Sequence, residues 1–409
     1  MRTTRTRTLV ALGVCAALAA GPLAAPSAAD VADLGVDQWG LDRIGVDEAW
    51  EESRGSGVTV ALLDTGVVTD HPDLDSVTVG PDLTGQDPDP GSDGYGVHGT
   101  MMAGIIAASG HGVEHTGGAM GVAPQAEILS IRIATEADGP ERAAVEPGAL
   151  AEGIRRAVDE GAQVVSIPLA AGGFSAQADD AEREAVDYAL DNGVVVIVSG
   201  GADGEAGYPA AYPGVLAVGS VGSDGTLSDF SSRGEHIALT APGEEITVLD
   251  AEGGYTTVTG SDAAAAFTAG VAALIRAEYP QLQPHQVVEA LTEGAEAPAE
   301  QGQPGYGAGT LSASGAMAAA GTTAENVPPF DPELAEQLAD DPLVPRWVLW
   351  AGGTALLVLM AVVGLVVLWR RSANPYDLPR REPESTAESG RRPVRGRRRR
   401  GRGRRGVSR

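Results

Sequence analysis

Short runs of nearly uninterrupted apolar residues alternate along this chain with longer amphipathic stretches, and that alternation restricts its possible folds more than any other feature. The short runs are Val58-Leu63, Ile128-Ile133, Val164-Ile167, Val194-Val198, Val215-Val218 and Ile237-Ala241. Helical spacing of apolar residues marks Met101-Ala108, Leu150-Glu160, Ala181-Asn192, Ala263-Tyr279 and His285-Ala297. A strand that is apolar on both faces must be covered on both faces, which is the situation of strands in a mainly parallel sheet flanked by helices. The expected fold class is therefore α/β. In such folds chemistry collects at the carboxyl ends of the strands and at the helix N-termini beside them.

Charge and hydropathy divide the 409 residues further. The formal net charge is −28, but the segment from Arg370 onward carries 15 arginines against 4 acidic residues, and Arg2, Arg5 and Arg7 add to the other end. That leaves −42 on the middle of the chain, which has no lysine. So acidic a body repels phosphates, excluding nucleic-acid binding for it and fitting a solvated extracellular surface. Residues 1–29 read as a signal peptide, with three arginines, the apolar Leu9–Ala20 and a small-residue cleavage site at Pro26-Ser27-Ala28-Ala29. The single cysteine, Cys15, falls inside it, so no disulfide, thiol nucleophile or thiolate metal site is expected in the mature protein.

Residues 347–369 form a run of 23 without a charge, between Arg346 and Arg370-Arg371. Roughly 20 apolar residues span a bilayer. The run is expected to be one C-terminal transmembrane helix, with Trp347, Trp350 and Trp369 at its interfaces and the basic tail, 370–409, on the cytoplasmic side. The protein is thus expected in the cell membrane as a single-pass protein with its body, 30–320, outside. Residues 321–346, rich in proline, form the linker. The tail cannot build a core and is expected to contact anionic lipid.

Three motifs carry chemistry in the body. Val58-Thr59-Val60-Ala61-Leu62-Leu63-Asp64-Thr65-Gly66 is a buried strand ending in an acid at a glycine turn, where Asp64 can cap the turn or orient a histidine. Gly96-Val97-His98-Gly99-Thr100 sets His98 among small residues at a helix start. In Thr259-Gly260-Ser261-Asp262-Ala263, a glycine turn feeds a helix that runs on through Ile275, a common seat for a nucleophile. The Asp70, Asp73 and Asp75 cluster reads as a solvated acidic loop rather than a calcium site, and neither metal nor cofactor is expected.

Taken together, Asp64-Thr65-Gly66, His71-Pro72-Asp73-Leu74, His98-Gly99-Thr100, Gly121-Val122-Ala123-Pro124, Tyr208-Pro209-Ala210-Ala211-Tyr212-Pro213, Phe230-Ser231-Ser232-Arg233-Gly234, Ala241-Pro242-Gly243 and Tyr306-Gly307-Ala308-Gly309 follow one another in order. In this the chain resembles the subtilisin-like serine proteases (peptidase S8), and most closely the membrane-anchored mycosins of type VII secretion in actinobacteria. The resemblance implies a subtilisin-like domain whose partners are type VII secretion membrane components, with Asp64 and His98 as a catalytic dyad. Trp39-Gly40-Leu41-Asp42 resembles the family's domain start, so a short N-terminal arm is expected rather than an autoprocessed propeptide.

The resemblance breaks where the reaction would occur. The family's nucleophile motif is Gly-Thr-Ser-x-Ala-(Ala or Thr)-Pro with a helix glycine eight residues after the serine. Counting back from Gly270 places Asp262 at the nucleophile and Ser261 at the threonine. Ala202, in Ser199-Gly200-Gly201-Ala202, occupies the position of the oxyanion asparagine. Ser166-Ile167-Pro168-Leu169-Ala170 stands for the substrate-binding Asn-x-Ser-Leu-Gly, and Pro168 has no N–H with which to pair a peptide. Two readings follow: a pseudoprotease with a structural or binding role, or an active serine endopeptidase that uses Ser261. A salt-bridged Asp262–His98–Asp64 network with a raised imidazole pKa is expected under the first.

Overall fold

The computed structural model describes residues 37–327 apart from 87, 93, 113–114, 116, 137–142, 170–176, 202–206 and 299–303, and, as a separate unit, residues 359–370. Two short helices, α1 (Trp39–Ile44) and α2 (Val46–Trp50), lead into β1 (Thr59–Asp64), and β2 (Val77–Asp82) precedes α3 (Val97–Ala107). A hairpin of β3 (Ser109–His111) and β4 (Gly117–Met120) returns the chain to β5 (Glu127–Arg132). A second, β6 (Ala134–Glu136) with β7 (Ala143–Val145), leads to α4 (Ala149–Asp159). Then come β8 (Val164–Ile167), α5 (Asp180–Asp191), β9 (Val195–Ser199), β10 (Leu216–Val221) and β11 (Ile237–Pro242). A third hairpin, β12 (Ile246–Leu249) and β13 (Tyr255–Val258), precedes α6 (Ser261–Glu278), α7 (Pro284–Glu293) and α8 (Ala313–Ala324).

Seven strands form one sheet in the order β11-β10-β9-β8-β1-β5-β2, and every pairing in it is parallel. All six apolar runs are strands of this sheet. Alternation along β1 shows why they read as uniformly apolar: Val60 and Leu62 enter the core on one face, Ala61 and Leu63 the core on the other. Helices α3, α6, α7 and α8 cover the first face, α4 and α5 the second. Each fully buried Leu or Ile here contributes roughly 1.5–3 kcal/mol relative to exposure.

Helix α6 is the centre of the first face. From Ala263 to Ile275 every residue is buried, so it is apolar all round, as a helix enclosed by protein must be. Its small residues let it sit close to its neighbours; a Cβ on Gly270 would lie 2.5 Å from Val122 Cβ.

Several elements depart from the sequence expectation. Strand β2 carries Gly80 and Pro81 and lies at the sheet edge with Thr78 and Val79 exposed, so it lacks the apolar signature of the buried strands. Helix α7 ends at Glu293, short of Ala297, because the chain at Gly294 lies against the backbone of Gly315 and Ala316 at the start of α8. Helix α8 continues to Ala324, past residue 320, after Ser312 Oγ accepts a hydrogen bond from Gly315 N.

In the second unit residues 359–370 are helical. Among the described residues no helix is long and apolar enough to cross a membrane; residues 347–358 of the expected span lie outside them, as do the proposed signal peptide and the tail beyond 370.

Candidate active site

Asp64 ends β1, an inner strand of the sheet between β8 and β5, with its side chain 1% exposed. Thr65 N–H donates to its Oδ1 at 2.6 Å. Helix α3 brings His98 over it in its first turn. That approach depends on Gly99, where a Cβ would run into the Gly66 carbonyl oxygen, so only glycine lets α3 start this close to the turn after β1. His98 Nδ1 lies 2.9 and 3.0 Å from the two Asp64 carboxylate oxygens, which fixes the ring and its tautomer.

Asp262 reaches the opposite nitrogen. It sits in the first turn of α6, and its Oδ2 is 3.5 Å from His98 Nε2, each side chain 15% exposed. The three side chains therefore form a line, carboxylate–imidazole–carboxylate. Burial opposes the charged imidazole, but the charge of Asp64, the hydrogen bonds that the ring donates to Asp262 and Asp64, and the charge of Asp262 outweigh it. The His98 pKa is held well above its ordinary value, which favours the charged imidazole.

Ser261 points elsewhere. It is 1% exposed, its Oγ donates to Gly201 O at 3.2 Å, and it lies 3.1 Å from Ser199 Oγ. The one-residue offset along the helix start turns it from the imidazole into the sheet side of α6. Ser166 on β8 is fully buried, with no hydrogen-bond partner for its Oγ among the described residues. Pro168 is buried, and Leu169 belongs to the core beneath α4 and α5. Ala202 lies outside the described residues.

A residue absent from the sequence expectation joins the site. Glu136, from β6, accepts a hydrogen bond from the backbone N–H of His98 at 2.9 Å, supplying an anion to the N-terminal turn of α3. Its contact spans 38 positions in sequence and no local pattern announces it.

The acidic loop is also different from the expectation. Asp70 and Asp75 are exposed, but Asp73 is completely buried. Its carboxylate pairs with His111 Nδ1 and accepts from Ala119 N and Tyr255 Oη, both at 2.8 Å, so it ties two hairpins to the loop instead of facing solvent. Burial and this carboxylate push the Tyr255 hydroxyl well up. Among the described residues no three imidazole, carboxylate or thiol side chains converge to hold a metal ion.

A parallel sheet, an acid at the end of one of its inner strands and a histidine on the next long helix are a hydrolase's arrangement of base and orienting group. Comparison with known proteins agrees. Residues 55–310 match the model of the subtilase family, Peptidase_S8. Mycosin-3 of Mycobacterium tuberculosis is 31% identical over 410 residues, covering 84% of this chain and 86% of its own length. Mycosin-4 of the same organism is 30% identical over 375 residues, covering 81% of each. The structure is similar to that of a serine protease MycP1, described as an essential component of the type VII (ESX-1) secretion system, at 32% identity and a TM-score of 0.59 over 70% of this chain and 89% of that one. With its subtilisin-like α/β fold and its mycosin relatives, the chain belongs to the subtilase family.

Proposed function

We propose that this protein is a membrane-anchored pseudoprotease, a structural or binding component associated with type VII secretion. The observation that carries the reading is Asp262 on the Nε2 side of His98, at 3.5 Å, with the neighbouring Ser261 turned away into hydrogen bonds with Ser199 and Gly201. A carboxylate that attacks a peptide carbonyl forms an anhydride while expelling an amine that readily attacks it in return, so Asp262 does not replace a serine in peptide hydrolysis. Ala202 at the oxyanion position removes a donor whose loss alone costs about a hundredfold or more in rate.

Association with a type VII apparatus rests on similarity to the mycosins and to MycP1. Membrane anchoring rests on the charge-free run of residues 347–369 flanked by arginines. In this reading residues 1–29 are removed as a signal peptide, 30–320 form the extracellular domain, 321–346 link it to the span, and 370–409 lie in the cytoplasm against anionic lipid. Complementation of a deletion strain tests the role. Asp262→Ala is expected to leave secretion intact and removal of residues 30–320 to abolish it. Hydrolysis of peptides by the purified protein, lost on His98→Ala, would overturn the proposal in favour of an endopeptidase using Ser261.

A further inference from the structure

A carboxylate in place of a serine is useless against an amide but suited to another electrophile. At a strained sp³ carbon it displaces an oxygen and yields an ester, a stable and hydrolysable intermediate, where an amide would yield an anhydride. Such a two-step reaction needs a carboxylate in the nucleophile's seat, an imidazole within reach of it, and a second carboxylate holding that imidazole. Asp262, His98 and Asp64 meet these requirements in that order, at 3.5 Å and 2.9 Å.

We propose that Asp262, His98 and Asp64 form a carboxylate-nucleophile site that opens small epoxides to diols through an ester on Asp262. In the first step one Asp262 oxygen bonds to an epoxide carbon, that carbon's C–O bond breaks, and the departing oxygen takes the proton from His98 Nε2. The products are a hydroxyalkyl ester on Asp262 and a neutral imidazole. In the second, water attacks the ester carbonyl, His98 Nε2 takes its proton, and the C–O bond to the alkyl group's oxygen breaks. The alkoxide leaving group is released as the diol by taking one of the protons supplied by water, which restores the Asp262 carboxylate and the imidazolium. The net reaction is epoxide plus water to diol.

The two carboxylates that flank the ring favour the charged imidazole, the form that donates the proton in the first step. Esterification then removes the Asp262 charge that favours the imidazolium, leaving the imidazole freer to act as a base in the second step. Asp64 is a positioning residue throughout. Epoxides fit better than alkyl halides because their leaving oxygen needs only a proton, which His98 holds, whereas a halide needs its own donors. Only a small substrate suits the site, since both reacting side chains are 15% exposed. The inference stands apart from the secretion role and does not depend on it.

The test incubates the full-length chain with excess 1,2-epoxybutane, quenches with acid, and reads diol by chromatography and protein by mass. Diol above the level of Asp262→Asn, or a gain of one whole reagent mass mapped to Asp262, is the expected result. A single turnover in ¹⁸O-water should place the label in the Asp262 carboxylate, because water attacks the acyl carbon. His98→Gln should form the ester more slowly and retain it. Thermal unfolding midpoints near that of the parent establish that both variants are folded. If folded wild-type protein shows neither adduct at Asp262 nor diol above Asp262→Asn, or is modified only at other carboxylates, the proposal is overturned.

Discussion

The side chain of Asp262 sets both the chemistry and the electrostatics of this site. His98 is held between Asp64 and Asp262, so removing Asp262 takes away one of the two charges that keep its pKa high. Asp262→Ala is expected to lower the His98 pKa, as an NMR titration would read, and each unit of that drop corresponds to about 1.4 kcal/mol. The sign of the stability effect follows. A pKa raised on folding contributes stability that is fully present below the ordinary imidazole value of about 6.5 and is lost as pH rises through the folded value. The melting-temperature gap between wild type and Asp262→Ala should therefore be wider at about pH 6 than at about pH 10. Asp262→Ser is expected to restore at most a trace of peptide hydrolysis, because Ala202 supplies no oxyanion donor; a fluorogenic peptide assay decides this.

At the scale of elements, the site depends on how closely two helices approach their neighbours. Gly270 lets α6 lie against Val122, and Gly270→Ala would press a methyl group into that side chain. The expected loss is about 1–3 kcal/mol, measurable by chemical denaturation. At the other end of α6, Arg276 is buried at 7% exposure and donates to the carbonyls of Leu282 and Gly193, fastening the loop before α7 and the turn before β9. Burial brings its pKa down to about 10. Arg276→Ala leaves two carbonyls short of their donor and is expected to cost about 2–4 kcal/mol in the same measurement, with the circular dichroism of the folded state unchanged.

For the whole molecule, the charge-free run of 347–369 makes a direct prediction: the full chain partitions into membranes, and a chain ending at residue 346 remains in the soluble fraction after carbonate extraction. Much of the body was legible without coordinates. Each of the six apolar runs is a strand because burial on both faces leaves a composition that any solvated strand would lack. Asp64 and His98 were legible because each sits at the end or start of an element, marked by glycine. Edge strand β2 was not, since an edge strand keeps polar and proline residues. Asp73 read as solvated because nothing beside it in sequence shows that His111, Ala119 and Tyr255, far along the chain, fold over its carboxylate. Glu136 was invisible for the same reason. What the sequence alone determined, then, was the layered architecture and, through element ends marked by glycine, the acid and histidine that the fold brings together; the reading of Asp262 as standing in the nucleophile's place came with the resemblance to the subtilisin-like proteases. Only the tertiary structure decided that this aspartate faces His98 while Ser261 faces the sheet, because the direction of a side chain at a helix start is fixed by what the helix packs against.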